Sequence, residues 1–483
     1  MPDEKTKGVE TLLGNPKKAV IAMAIPMIVG LVAQSANNLI DAVWVAGLGS
    51  DALAAVGFVF PLFFILIGIG NGIGIGASSA VARHIGRGDK DAVDRTAMQG
   101  AVILFIISIV VMIIFLVFQR PILTILGVGD TLELCVDYST PIFLTMVLLL
   151  LNGYLMNLIR SEGASKRAMK SQIVAAVINI ILDPIFIYKD VAMEVFNLDL
   201  GFSIGLGWGM AGAAWATVVA ILISLVMLLY WYFIKADTYV KFKVKDIPLD
   251  KETDKDVLKV GVPASLEMIV MSLISMVMNI IIVSADRGTD GIAIFSATWR
   301  LVQILMIPLM AIGGAVVPVL AAAYGAKRYD KMHVAYMYSA KVCVLIQIVL
   351  VTVTILAAEF LVVIFTYSEG TAGLKEDMVS CLRILVLFLP FASWGFVSVG
   401  LFQAIGMGMK SFICTVVRNG LQIPAGLILL ATVGTFISIV WGVVVMEILG
   451  SILAGVWSYM LLRSIVKKYV PPAEEDEVAR AQY

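Results

Sequence analysis

Four polar side chains share one face of the first long apolar segment. Gln34, Asn37, Asn38 and Asp41 stand at steps of three, four and seven, which a helix brings to one side. That face is expected to look into the interior of a bundle and to line a cavity. A second group lies on another apolar segment, where Asn179 and Asp183 are four apart and Pro184 follows the acid. Proline has no backbone donor, so a carbonyl is freed beside the carboxylate. A hydroxyl, Thr217, sits in a third segment. An ionised side chain at mid-bilayer costs about 2.5–3.5 kcal/mol even on the mildest scale, so an acid retained there tends to face a cavity and serve a purpose. Two carboxylates, an amide and a hydroxyl supply enough oxygen to hold a sodium ion or to share a proton. Counted from the segment ends at about 1.5 Å per residue, Asp41, Asp183 and Thr217 all reach the outer half of a membrane. This is chemistry of ion exchange rather than of bond making.

The elements that must position these groups follow from composition. The 483 residues are 60% hydrophobic and 14% charged, against about 45–50% and about 25% in a soluble domain. The excess comes in blocks, and Val102–Phe118 and Ile348–Ala358 carry no charge. Twelve candidate spans lie near residues 18–45, 53–80, 96–118, 134–158, 170–188, 209–234, 257–284, 291–322, 334–358, 379–404, 410–431 and 436–462. In lipid every backbone group must be satisfied internally, and segments this long do so as helices, so the fold class is all-α integral membrane. The polar stretch Met1–Lys18 leads into a block too long for a signal peptide, and the first span is expected to be retained. A formal net charge of zero, without long runs of one sign, leaves no footprint for nucleic acid. Cys135, Cys343, Cys381 and Cys414 lie far apart and read as packing residues rather than metal ligands.

Basic residues fix the expected topology. With twelve spans, 27 Lys and Arg fall on the side of the termini and 4 on the other, which puts both termini in the cytoplasm. The expected organisation is a cytoplasmic N-terminus (1–17), a first lobe of six spans (18–234), a cytoplasmic linker (235–256), a second lobe (257–463) and a cytoplasmic tail (464–483) that is low in apolar residues and read as disordered. The lobes read as a duplication. Pro26 and Pro263 are 237 apart, Gly86 and Gly325 are 239 apart, Asn179…Pro184 recurs as Asn419…Pro424 at 240, and Arg160-x-x-Gly163 recurs as Gln403-x-x-Gly406 at 243. Six spans separate equivalent residues, so the repeats share one orientation about an axis along the membrane normal.

Several of these motifs together resemble the multidrug and toxic compound extrusion (MATE) family. They are Ala24–Met27 followed by Asn37, Asn38 and Asp41, then Gly86–Asp89, Arg160-x-x-Gly163, Asn179…Asp183-Pro184 and Gly209–Thr217. The resemblance covers nearly the whole chain and is nearest to the DinF-like branch, with paired aspartates in the first and fifth spans. It implies two pseudo-symmetric six-helix lobes of the MOP superfamily plan in the plasma membrane. The implied activity is antiport of drugs or organic cations against protons or sodium by alternating access. It further implies ion coupling at Asp41, Asn179, Asp183 and Thr217, and a hinge at Pro26. Gln34, Asn37, Asn38, Tyr138 and Asn152 are then candidates for the substrate cavity. No cofactor is expected beyond the coupling ion, H+ or Na+, and a monomer is expected because the repeat supplies both lobes.

The second lobe offers less. Glu267 is the natural candidate for a second acid site, but Ile423 stands where Asp183 would repeat. Arg300, Arg418 and Glu447 are candidates for internal ion pairs, whose partners spacing does not give. Gly72-x-Gly74-x-x-Ala77 fits a dinucleotide fingerprint but lies inside an apolar run, and close helix packing explains it better. No enzyme constellation emerges around His84 or His333. The alternative within the same superfamily is a flippase for lipid-linked saccharides, against which twelve spans and acidic lobe residues count. A receptor or channel is disfavoured by the repeat.

Overall fold

The structure, a computed structural model, describes residues 6–191, 205–242, 250–366 and 373–469. The tail beyond 469 and part of the expected linker, 243–249, lie outside the described residues. Among those described, the regular elements are all helical. The first half of the chain contains α1 (Lys7–Leu13), α2 (Pro16–Ala46), α3 (Ser50–Arg87), α4 (Lys90–Ile125), α5 (Leu132–Leu144), α6 (Met146–Ser161), α7 (Ser165–Ile187) and α8 (Gly209–Leu229). The second contains α9 (Lys251–Val283), α10 (Gly288–Leu305), α11 (Ile307–Gly325), α12 (Tyr329–Val362), α13 (Lys375–Leu385), α14 (Leu389–Ala404), α15 (Gly408–Gly420), α16 (Gln422–Thr432) and α17 (Phe436–Tyr469).

Among the described residues eleven helices are long and apolar enough to cross a membrane, and the pair α5–α6, bent by 57°, brings the number to twelve if it is one broken span. The bend has a local cause. Pro141 cannot donate one turn back, and Thr145 leaves helical geometry while its hydroxyl returns a 2.7 Å bond to the Pro141 carbonyl. The outer faces are apolar: Leu356 and Phe360 are 79% and 77% exposed, a surface that only lipid tolerates.

The chain forms two compact units. The first gathers the described residues of Met1–Val9, Val29–Val81 and Lys90–Ser265, and the second those of Glu10–Ile28, Ala82–Asp89 and Leu266–Tyr483. Within the first unit, α3 meets the start of α9 through glycines. A Cβ on Gly72 would stand 2.1 Å from Ser265 Oγ, and one on Gly76 would stand 2.3 Å from the Val257 carbonyl. The dinucleotide-like glycine pattern is thus a helix-packing seam.

Within the second unit the end of α3 crosses α11 reciprocally. A Cβ on Gly86 would fall 2.0 Å from the Ala322 carbonyl, and one on Gly325 would fall 1.9 Å from the Arg83 carbonyl. Arg83 and Ala322 are themselves 239 apart, the offset of the two glycines. The repeat-related glycines therefore face one another as a pseudo-twofold requires, and Arg83 Nη1 also donates to the Ala404 carbonyl at 3.1 Å, closing the end of α14.

On the first unit, Glu162 follows α6 and is fully buried. Its Oε2 accepts the Tyr239 backbone N–H at 2.6 Å, and Arg167 pairs with Asp237 at 2.6 Å, so the segment after α8 is tied to the α6–α7 turn. Gly163 in that turn has φ +78°, and a Cβ there would meet the Gly8 carbonyl at 2.2 Å. Burial pushes the Glu162 carboxyl from 4.5 up to about 7, so the folded state binds its proton more tightly than the unfolded chain does. Stability is then highest at acid pH, declines as pH rises from 4.5 to about 7, and is flat above. Glu162→Gln is expected to remove as much as about 3 kcal/mol of that pH dependence. Unfolding midpoints in detergent at pH 5 and pH 8 check this, and an unchanged difference between the two pH values would refute it.

Candidate functional site

The site is built where α2, α7 and α8 come together in the first unit. Gly212 permits the close approach of α8 to α7: its missing Cβ would lie 2.3 Å from the Phe186 carbonyl. The strand of chain before α8 hooks onto the end of α7, with Leu206 N bonded to the Ile185 carbonyl at 2.8 Å and Trp208 N to that of Phe186 at 2.9 Å. Tyr188 then donates to the Trp44 carbonyl at 2.7 Å and holds the end of α2 against the end of α7.

These contacts assemble a chain of polar groups. Asn37 Nδ2 donates to Asn179 Oδ1 at 2.8 Å, and Asn179 Nδ2 donates to Asp183 Oδ1 at 2.7 Å and approaches Thr217 Oγ1 at 3.5 Å. The Thr217 hydroxyl donates to the Ala213 carbonyl at 3.2 Å. Asp41 comes within hydrogen-bonding reach of Asp183, which is completely buried. Tyr138, from α5, lies within the electrostatic field of both acids.

Three oxygens of this cluster are buried without a hydrogen-bond partner: Asn37 Oδ1, Asp41 Oδ1 and Asp183 Oδ2. No Lys or Arg pairs with either acid among the described residues. Unpaired acceptors in such a place are costly and call for a proton or a cation. The four residues expected to couple an ion are thus brought together, with one change of part. Asn179 has its oxygen engaged by Asn37, and it is Asn37, placed by the sequence among the cavity residues, that presents an unpartnered oxygen beside the acids.

The other expected cavity residues are placed differently. Gln34 accepts from Gln172 Nε2 of α7 at 2.7 Å, and Asn38 is exposed one turn further along α2. Asn152 accepts from Ser224 Oγ at 2.9 Å, in a network that also joins Ser224 to Ser171 and so fastens α6, α7 and α8 together. Pro26 is buried in the part of α2 that belongs to the second unit. Gln172, Ser224 and Gly212 were not singled out for these contacts, because a residue's partner on another helix leaves no mark in its own spacing.

Glu267 lies in the second unit on α9. It accepts from Ser411 Oγ at 2.5 Å, Gln403 in turn reaches Ser411 at 3.3 Å, and the charge of Arg418 is nearby. Of the charged residues that suited internal pairing, Arg418 and Glu447 pair with each other, Nε to Oε2 at 3.4 Å, with Gln422 donating to Glu447 at 2.9 Å. The guanidinium also covers the Phe396 ring at 4.5 Å. Glu267 and Glu447 thus have a base beside them, unlike Asp41 and Asp183 among the described residues.

A family model described as MatE matches residues 26–185 and 263–428. The multidrug export protein MepA of Staphylococcus aureus (strain MSSA476) is 26% identical over 436 residues, covering 88% of this chain and 89% of that protein. Crystal structures of a MATE in the straight and the bent conformation superpose with TM-scores of 0.89 each, at 32% and 33% identity. They cover 96% and 97% of this chain and all of their own.

Replacing Gly212 tests whether its contact seats the site. Gly212→Val must displace α8 from α7, which is expected to cost about 1–3 kcal/mol of stability and to lower the unfolding midpoint by several degrees. Gly212→Ala should do so to a lesser degree. A midpoint equal to that of the unsubstituted protein in both variants would show that the helices are not so tightly apposed.

Proposed function

The chain belongs to the multidrug and toxic compound extrusion (MATE) family of membrane transporters, and from that premise we propose that it exports organic, mostly cationic compounds in exchange for protons or sodium ions. It is a transporter and not an enzyme. The observation that carries the exchange reading is the Asp41–Asp183 cluster, with three unpartnered buried oxygens and no basic side chain paired with it among the described residues. A negative charge left uncompensated in a membrane attracts either a hydrophobic cation or a small coupling ion, and the two compete for it.

In this reading a proton or sodium ion arrives as a substrate. It engages Asp41 and Asp183, with oxygen from Asn37 or Thr217, and removes the attraction for the organic cation, which is released. Departure of the ion restores the charge and the affinity. Competition for one charge links the two fluxes without requiring both cargoes to touch the same atoms. Alternating access is assigned to a hinge in α2 at Pro26. In support, α2 changes from one compact unit to the other two residues beyond this proline, between Ile28 and Val29. The names of the related structures, straight and bent, are consistent with a family in which such an element changes shape.

The proposed location is the plasma membrane, with both termini in the cytoplasm as the distribution of Lys and Arg dictates, and the working form a monomer. The flippase alternative calls for a cationic cavity and draws no support from an acidic one. Glu267 is assigned a supporting part only, because Ser411 and Arg418 already stabilise its charge.

Uptake of a fluorescent organic cation into inside-out vesicles, under separately imposed proton and sodium gradients, tests this reading. One of the two gradients is expected to drive uptake, and Asp41→Asn and Asp183→Asn are each expected to lower it at least tenfold. Glu267→Gln is expected to retain most of it. Unaltered uptake by both aspartate variants at equal expression would overturn the assignment, and uptake driven by neither ion would overturn the exchange itself.

A further inference from the structure

The second unit carries an open groove of ≈ 260 Å³ lined by Lys17, Lys18, Ile21 and Ala22 of α2 and by Tyr338 of α12. We propose that this groove is a binding site for an anionic phospholipid, with the phosphate held by the lysines and an acyl chain lying against the apolar wall beside them.

The sequence sets the depth of the site. Lys18 is the last charged residue before the uncharged run Ala19–Ile40, and Lys341 is the last before the uncharged run Val342–Ala358. Both lysines therefore mark the level at which hydrocarbon begins on their helices. The structure puts the two helices side by side at this level, where Lys17 Nζ lies 5.9 Å from the centre of the Tyr338 ring. Tyr338 and Lys341 are three apart and share a face of α12. Three lysines and a tyrosine thus converge at one interfacial height, the residue types that anchor at a membrane surface.

The wall next to them is greasy. Ile21 and Ile25 of α2 are 38% and 56% exposed, and Leu345 and Ile348 of α12 are 63% and 46% exposed. Cationic heads above an apolar wall complement one molecule with both characters, a lipid, whereas a free phosphate would use the upper half alone. The backbone donors at the start of α2 are not part of the site, because Asn15 Oδ1 already accepts from the N–H groups of Lys17 and Lys18 at 3.0 and 3.2 Å. Recognition falls to the side chains. Assignment to the cytoplasmic leaflet rests on the orientation proposed above; headgroup selectivity does not.

Native mass spectrometry of the purified full chain, titrated with phosphatidylglycerol and with phosphatidylcholine, tests the site independently of transport. The unsubstituted protein is expected to prefer phosphatidylglycerol. Lys17→Gln with Lys18→Gln should lose about fivefold in that preference for each lysine removed, Lys17→Arg with Lys18→Arg should keep it, and Lys251→Gln with Lys255→Gln, at the start of α9, should leave it unchanged. Equal retention of phosphatidylglycerol by the Lys17/Lys18 glutamine pair would overturn the proposal, and so would its displacement by millimolar inorganic phosphate, which would show a simple anion site. If the glutamine pair does not yield a monodisperse protein, a photoactivatable phosphatidylglycerol on the unsubstituted chain decides the matter. Labelling of residues 17–25 or 338–348 supports the site, and labelling confined elsewhere refutes it.

Discussion

The structure is organised around one electrostatic constraint: two carboxyls, Asp41 and Asp183, sit together inside apolar helices with no base paired to either among the described residues. Lipid offers them no water, and proximity makes double ionisation costlier than either charge alone. A cluster of this kind is held only if its surroundings forbid escape. The bond that Asn37 donates to Asn179 fixes one side, the Gly212 contact presses α8 onto α7, and Tyr188 clamps the end of α2 to the end of α7. Each of these is a helix-to-helix tie, and together they leave buried oxygens without a hydrogen-bond partner, which in the proposed exchange a mobile cation or proton completes. Rigidity of the frame and mobility of the charge are two aspects of one arrangement.

Much of this was legible in the sequence because helices have a fixed period. Spacing alone put Gln34, Asn37, Asn38 and Asp41 on one face and Asn179 and Asp183 on another, and uncharged blocks of sufficient length could only be crossing helices. What spacing cannot give is which face meets which. Spacing does not show that Asn152 accepts from Ser224 or that Asn37 donates to Asn179 beside the acids. Glu162 was passed over within the Arg160-x-x-Gly163 motif, since its burial depends on Tyr239, some 77 residues away, whose backbone comes to it. The glycines at 86 and 325 were legible as a repeat, but not as each other's contact surface. A repeat offset reports equivalence, and only the folded chain shows that equivalents cross.

The duplication is carried into the unit boundaries as well. One unit ends its share of α2 two residues past Pro26, and the other ends its share of α9 two residues past Pro263. Each proline lies inside a continuous helix that contributes to both compact units. A proline interrupts the hydrogen-bond ladder at one point and leaves the helix otherwise intact, so it is the residue type that lets a single helix serve two bodies. Because the feature occurs twice at equivalent positions, it belongs to the ancestral half rather than to either descendant.

Layout is shared between the halves, but electrostatics is not. In the second unit Arg418 lies beside Glu447 and within the field of Glu267, and serine and glutamine donors complete both acids. A buried charge paired in this way contributes little net stability but is strongly destabilising to disturb, which suits a fixed scaffold. Around Asp41 and Asp183 no base plays the part of Arg418 among the described residues. The equivalent space is filled by amides and a hydroxyl, which can turn to an ion or a proton but cannot replace it. The acids around Arg418 thus have a counter-charge within the fold, and in the proposed exchange the Asp41–Asp183 cluster takes its own from outside. A transporter needs the second condition in at least one place, since a site that satisfies itself has no reason to bind and release.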